Sequence, residues 1–297
     1  MWVVGWGGLV CVGDLVEDVV VWAVGVARVG TDNPARVCRT RGGAAANVAA
    51  FAGQLGVAVR FVGRVGDDAV GAALVRDLTE AGVDAKVQRH GRTGTIVIVV
   101  DPSGERTMYP DRAAAGELTD VPDVWLSGAG AVHLSAYSLV GPSLSVLRRA
   151  SDLAHAEGAI LTIDASSIAL IDAIGPAPFR DLIRALRPTY LFANGIEADI
   201  GSLRDLASSG TTVIVKNGTA PTEIHATATT TVPVPPVDEV RDTTGAGDAF
   251  AAGFLSAVLE NADTVEAVEA GHTLAGRVLS EPGATLSKTD ENGSARD

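Results

Sequence analysis

The stretch "DTTGAGDAFAAGFL", Asp242 to Leu255, sets an acid directly behind two glycines and at the head of an apolar run. A helix N-terminus gathers unpaired backbone N–H groups and about half a positive elementary charge, so a helix beginning here makes a site for an anion. Gly245 and Gly247 carry no side chains and let the backbone approach that anion closely. Asp248 would then stand beside it, which is unfavourable unless the acid has a task such as accepting a proton. Acids also cap helices, and the spacing alone leaves both roles open.

A second cluster, "RGGAAANVAAFAGQLG", puts Gly42 and Gly43 ahead of a helix with Asn47 on its first turns. Paired glycines let a small polar ligand lie against the backbone, and Asn47 offers a donor and an acceptor. A tight strand-to-helix connection would use the same glycines. No G-x-x-x-x-G-K-[ST] occurs, and "GWGGLV" does not fit G-x-G-x-x-G, so the Walker and dinucleotide fingerprints are missing and a Rossmann-type oxidoreductase is excluded. The five histidines are too scattered to suggest a metal site.

The elements that must hold these clusters follow from patterning. Runs such as "GLVCVG", "VRFVGRVG", "AVHLSAY", "AILTID", "TYLFAN" and "TVIVKNG" are short and rich in β-branched residues, as buried strands are. Helix-period segments lie between them at 44–55, 67–81, 142–157 and 178–186. The alternation predicts an α/β fold, a doubly wound and mainly parallel sheet flanked by helices. Two segments break the rhythm, 16–40 and 92–109, each reading strand, turn, strand around "TDNP" and "DPSG". They predict a small β-sheet lid, whose valines and Trp22 need a partner. The core is thus 1–15, 41–91 and 110–287. "HATATTTVPVPP" suits an edge strand and an extended segment. The tail 288–297 is expected to be disordered.

At 297 residues and 47% hydrophobic, the chain can bury a large core. A net charge of −13 argues against a nucleic-acid partner, since phosphate backbones are met by clustered Lys and Arg. The apolar start "MWVVGWGGLVCVG" stops at Asp14, too short to span a bilayer and without a basic flank, so no membrane partner is expected. Cys11 and Cys38 form no C-x-x-C pair and read as buried thiols of a reducing, cytoplasmic setting.

Taken together, "GGAAANVAAFAGQLGVAVRFVGRVGDDAVG" and "DTTGAGDAFAAGF" closely resemble the two signature regions of the ribokinase-like, or PfkB-type, carbohydrate kinases. The likeness extends to an early strand ending in Asp14, the lid inserts, "ANGIEAD" and the C-terminal helices. It implies transfer of the γ-phosphoryl group of ATP to a sugar or nucleoside hydroxyl. Asp248 then matches the general base, and the backbone of Gly245, Ala246 and Gly247 the anion hole. Asn194 and Glu197 match an N-x-x-E pair that organises Mg2+ and its waters, with a helix-start Asn and a surface Glu as the plain alternative. Lys216 and Gly218 of "VIVKNG", Thr244 and His272 fall to the nucleotide. Asp14, Gly42, Gly43 and Asn47 match positions that hold sugar hydroxyls. His133, Tyr137 and Arg112 fall near the substrate or lid, where Arg112 meets either a substrate anion or Asp111 or Asp14. Asp242, Thr244 and carbonyls of 280–284 match a monovalent-cation site, implying K+. The partner that the lid's exposed valines and Trp22 call for is expected to be a second copy, giving a homodimer through the lid.

The chain departs from the family pattern twice. Pro221 stands where a second glycine usually follows "VIVKNG", so the loop over the nucleotide takes another path. "DASS" at 164–167 replaces D-P-N with its following Arg, which removes one contact to an acidic or keto-sugar substrate. A nucleoside kinase of the same fold and a catalytically silent sugar-binding relative are the alternatives. Few aromatics in the lid disfavour the first, and the intact GAGD loop the second.

Overall fold

The structure, a computed structural model, describes residues 6–280 and 286. The chain opens with β1 (Leu9–Val12), two lid strands β2 (Val16–Ala23) and β3 (Ala35–Gly42), and helix α1 (Ala44–Gln54). Strand β4 (Val59–Val65), α2 (Ala69–Glu80) and β5 (Val83–Arg89) follow, then the lid's β6 (Thr95–Val100) and β7 (Arg106–Asp111). The second half runs β8 (Ala131–Ser135), α3 (Ser143–Glu157), β9 (Ile160–Asp164), α4 (Ile168–Ile174), α5 (Pro176–Leu186) and β10 (Tyr190–Asn194). It closes with α6 (Gly195–Ile200), β11 (Thr212–Asn217), β12 (Ala220–His225), β13 (Thr229–Val232), α7 (Ala246–Leu259) and α8 (Thr264–Leu279).

Nine strands form one sheet in the order β13-β12-β11-β10-β9-β8-β1-β4-β5. From β5 to β11 every pairing is parallel, while β12 and β13 are an antiparallel edge. Side-chain alternation divides β1 between two cores. Leu9 and Cys11 face α1, α7 and α8, and Val10 and Val12 face α3 and α5. A parallel strand covered on both faces must be apolar throughout, which is why these strands read as unbroken runs.

The lid is a separate four-stranded sheet, β3-β2-β6-β7. Its strands reach Gly42 and Asp111, past the expected ends at 40 and 109. Cys11 is buried, and burial pushes its thiol pKa far up. Cys38 is half-buried in the lid rather than buried as expected, because β3 has a solvent-facing side. The edge strand expected in "HATATTTVPVPP" is β13, at one end of the sheet, and residues 233–236 follow it without strand pairing. The tail 288–297 and residues 281–284 of the expected cation loop lie outside the described residues.

Candidate active site

Open parallel sheets bind ligands beyond the carboxyl ends of their strands, because helix N-termini and loops converge there. Asp14 follows β1, Asp164 ends β9, Asn194 ends β10, and Lys216 pairs with Asn194 in register on β11. These ends, the start of α7 and the inner face of the lid enclose a continuous cleft of about 1040 Å3.

Helix α7 begins at Gly245, held at φ 76, and no side chain caps it. The left-handed conformation suits glycine and turns the first N–H groups of α7 toward the cleft. Asp248 sits in that first turn but does not cap it. Its Oδ2 instead accepts from Asn47 Nδ2 at 2.9 Å, across 201 positions of sequence. Burial pushes the Asp248 pKa up to about 8. The Asn47 bond opposes this, the Asp164 charge adds to it, Lys216 opposes, and Asp14 adds. The cap role for Asp248 is thereby set aside in favour of a carboxylate presented to the cleft.

At the substrate end, Gly43 has φ 102, and a Cβ there would lie 2.3 Å from the Asp14 carbonyl oxygen. This is the tight strand-to-helix connection, and it places Asp14 and Asn47 together. Asp14 Oδ2 pairs with Arg112 Nη1 at 3.0 Å, and the guanidinium stacks 3.7 Å from the Tyr137 ring centre. Asp14 Oδ1 and Asn47 Oδ1 are buried with no hydrogen-bond partner among the described residues.

Two expectations need correction. Gly42 does not line the cleft. It lies against the Asp18 carboxyl group, where a Cβ would come within 2.2 Å of Oδ1. His133 also lies away from the cleft. It sits in the middle of β8, fully buried on the face shared with Cys11 and Phe192, with Nδ1 2.9 Å from Thr162 Oγ1. Burial lowers its pKa to about 4, against the Asp164 charge and with that of Lys216, so the ring is neutral. A strand buried on both faces gives no sequence signal for which residue reaches the end.

At the nucleotide end, Asn194 and Glu197 form a reciprocal capping box on α6. Asn194 Oδ1 accepts from the Glu197 N–H, and Glu197 Oε2 from the Asn194 N–H, both at 2.9 Å. The N-x-x-E spacing thus has a local structural cause, yet Glu197 is buried at the cleft wall rather than on the surface. Burial and then the Asp164 charge raise its pKa. His272 also lines the cleft, with Nε2 2.8 Å from Thr222 Oγ1, and burial lowers its pKa. Gly218 turns the β11–β12 hairpin at φ 64, and Pro221 lies within β12, which is the altered path of that loop. Thr244 donates through N and Oγ1 to Asp242 Oδ1, at 2.8 and 2.7 Å. Arg106, from the lid, reaches across to the same carboxylate.

The model of the pfkB family of carbohydrate kinases matches residues 8–291. The chain belongs to that family. It is 30% identical to a fructokinase of Klebsiella pneumoniae, over 80% of this chain and 83% of the relative. It is 31% identical to an ATP-dependent ribose-1-phosphate kinase of Halopiger xanaduensis, over 77% and 76%. The fold matches an adenosine kinase from Sinorhizobium meliloti with TM-score 0.82 at 24% identity, covering 94% and 95% of the two chains. It matches a ribokinase from Giardia lamblia with TM-score 0.81 at 21% identity, covering 94% of each.

Two cleft residues of this PfkB kinase, Asp18 and Arg106, escape a reading of its sequence, and Asp164 enters it only as the first residue of "DASS". Asp18 on β2 is buried, and its Oδ1 has no partner among the described residues. Burial, then the Asp14 charge, push its pKa to about 7, against Arg41 and Arg112. An acid inside the apolar run "VEDVVVW" was the available signal. Arg106 gave none, since its role arises only from contact between distant segments of the chain. For a metal, no cluster of three His, Cys, Asp or Glu side chains exists among the described residues. Asn194 and Glu197 therefore fit a cation held through water and phosphate oxygens better than one caged by protein, which is magnesium's habit.

Proposed function

We propose that the protein transfers the γ-phosphoryl group of ATP to a hydroxyl of a free monosaccharide, with Asp248 as general base. The observation that carries this is the Asn47–Asp248 pair. It turns a half-buried carboxylate away from its own helix cap and into the cleft, beside the uncapped first turn of α7. Asn47 takes up one carboxylate oxygen and leaves the other for the acceptor hydroxyl. The N–H groups of Gly245, Ala246 and Gly247 meet the charge that gathers on the phosphoryl oxygens, where each donor is worth about 10²- to 10³-fold in rate. Magnesium, when bound, neutralises the phosphates. Glu197 and Asn194 would hold it through its waters.

The polar groups at the substrate end favour a neutral polyol. Asp14 Oδ1, Asp18 Oδ1 and Asn47 Oδ1 are buried acceptors without donors, as sugar hydroxyls would supply. The Arg112 charge is already met by Asp14, so an added phosphate would face two acids. Tyr137 is covered by Arg112 rather than open to a nucleobase. A coupled ADP-release screen over sugars, keto-deoxy acids, sugar phosphates and nucleosides tests the proposal. The highest kcat/KM should fall on a free sugar, and turnover of fructose 6-phosphate well above any free sugar would overturn the substrate class. Asp242 is assigned to K+ through the resemblance, and potassium should then stimulate turnover relative to sodium. Equal rates would leave Asp242 to its protein partners.

A further inference from the structure

Lys and Arg line the cleft at three positions among the described residues. Arg112 is met by Asp14, and Arg106 reaches from the lid to Asp242. The third, Lys216, rises from the parallel sheet itself. Its ammonium lies 3.3 Å from the point where a Cβ would project from Gly247, so it looks onto the anion-hole backbone through the space a side chain would fill. Asp164 Oδ2 accepts from it at 3.0 Å, and the Phe192 and Phe250 ring centres lie 5.9 and 5.8 Å away. Burial alone drives such an amine toward neutrality. Here the Asp164 charge and hydrogen bond, followed by the charges of Glu197 and Asp248, more than offset burial and raise its pKa. It therefore remains an ammonium with three N–H donors, one of them given to Asp164. An ion pair serving only to hold β9 to β11 would need neither a bare glycine in front of it nor an opening to the cleft.

We propose that Lys216 is a catalytic residue of the phosphoryl transfer, its ammonium contacting the oxygens of the transferred group together with the α7 N–H groups. Asp164 is the positioning residue that holds it there. The inference rests on the kinase activity set out above. In that reaction the acceptor oxygen bonds to the γ-phosphorus as the bond to the β,γ-bridging oxygen breaks. The electron pair leaves on ADP, and the hydroxyl proton passes to Asp248. Lys216 neither gains nor loses a proton. A fixed cation in a largely dry wall strengthens as charge spreads over the phosphoryl oxygens, with no cost of reorienting it during the reaction.

The test compares binding of Mg-AMP-PNP and Mg-ADP to the full chain by titration calorimetry. Lys216→Met should weaken AMP-PNP by about 10-fold or more and ADP by less than about threefold, because a charge-assisted bond to the terminal phosphate is lost. Turnover should fall by about 10²-fold with little change in the sugar KM. Asp164→Asn should show the same AMP-PNP bias at smaller size, and Lys216→Arg should restore part of it. Equal losses for both nucleotides, or no loss, overturn the proposal. If Lys216→Met fails to fold, Lys216→Gln is put through the same two titrations, and equal losses for Mg-AMP-PNP and Mg-ADP again overturn it. A wild-type protein that binds no AMP-PNP and releases no ADP with any acceptor overturns the kinase reading itself, before any substitution is made.

Discussion

Asp248 carries two opposed consequences of one environment. With its pKa near 8, the base is protonated at neutral pH, so kcat/KM should climb with pH and level off above about 8. A flat profile between pH 6 and 9 would remove it as the base. The same shift bears on stability. The native state keeps a proton on Asp248 between its ordinary pKa of 3.8 and about 8 whereas the unfolded chain does not, so this group lowers stability as pH rises through that window. Asp248→Asn should therefore melt higher than the wild type at pH 8 while kcat falls by about 10²- to 10⁴-fold. Wild-type turnover in that variant would reduce the acid to a structural group. Glu197→Gln should keep much of the capping box, since an amide oxygen still accepts from Asn194, yet raise the magnesium concentration for half-maximal rate. An unchanged magnesium titration would confine Glu197 to its cap.

At the level of elements, the junction between β3 and α1 fixes the substrate end. Gly43→Ala places a side chain at φ 102 and 2.3 Å from the Asp14 carbonyl oxygen, so it should cost about 1–3 kcal/mol of backbone strain alone. Chemical denaturation measures that loss, and substrate KM should rise with it because Asp14 and Asn47 are displaced together. A variant as stable as the wild type would show that the junction relaxes freely. Helix α7 is anchored differently. Phe254 and Phe250 meet Phe192 edge to face, with ring centres 5.1 and 6.0 Å apart, which ties the helix bearing Asp248 to the strand that leads into Asn194.

The whole molecule leaves part of its lid without a partner. Val24, Val26 and Val29 are 74, 87 and 103% exposed, with Val37 and Tyr109 also open to solvent. We expect a homodimer through this lid, since Val24, Val26 and Val29 of the β2–β3 loop and Val37 and Tyr109 of the sheet leave exposed apolar surface that a partner would cover. Sedimentation should give twice the chain mass, and Val26→Asp with Val37→Glu should halve it. A wild-type monomer at micromolar concentration would leave the lid as a cover only. Among the described residues no helix is long and apolar enough to cross a membrane. The Arg106–Asp242 contact joins lid to anion loop, so lid position and the start of α7 are mechanically linked.

Local sequence determined the elements and the anion loop. Apolar runs bounded by turn residues can be strands in almost any context, and Gly-Ala-Gly-Asp before an apolar run specifies an exposed helix start by itself. Asp14, Asn47 and Asp248 were legible because small polar residues stood out against apolar surroundings. Tertiary structure alone decided which polar groups meet. His133 and Lys216 are both basic residues in strands, yet one is buried in mid-strand and the other reaches the cleft at a strand end. Strand register sets that difference, and it depends on how distant strands align. The pairing of Asp248 with Asn47, of Lys216 with Asp164 and of Arg106 with Asp242 likewise spans the chain. Such contacts exist only once the sheet has ordered its strands, because no local pattern encodes a distance between segments.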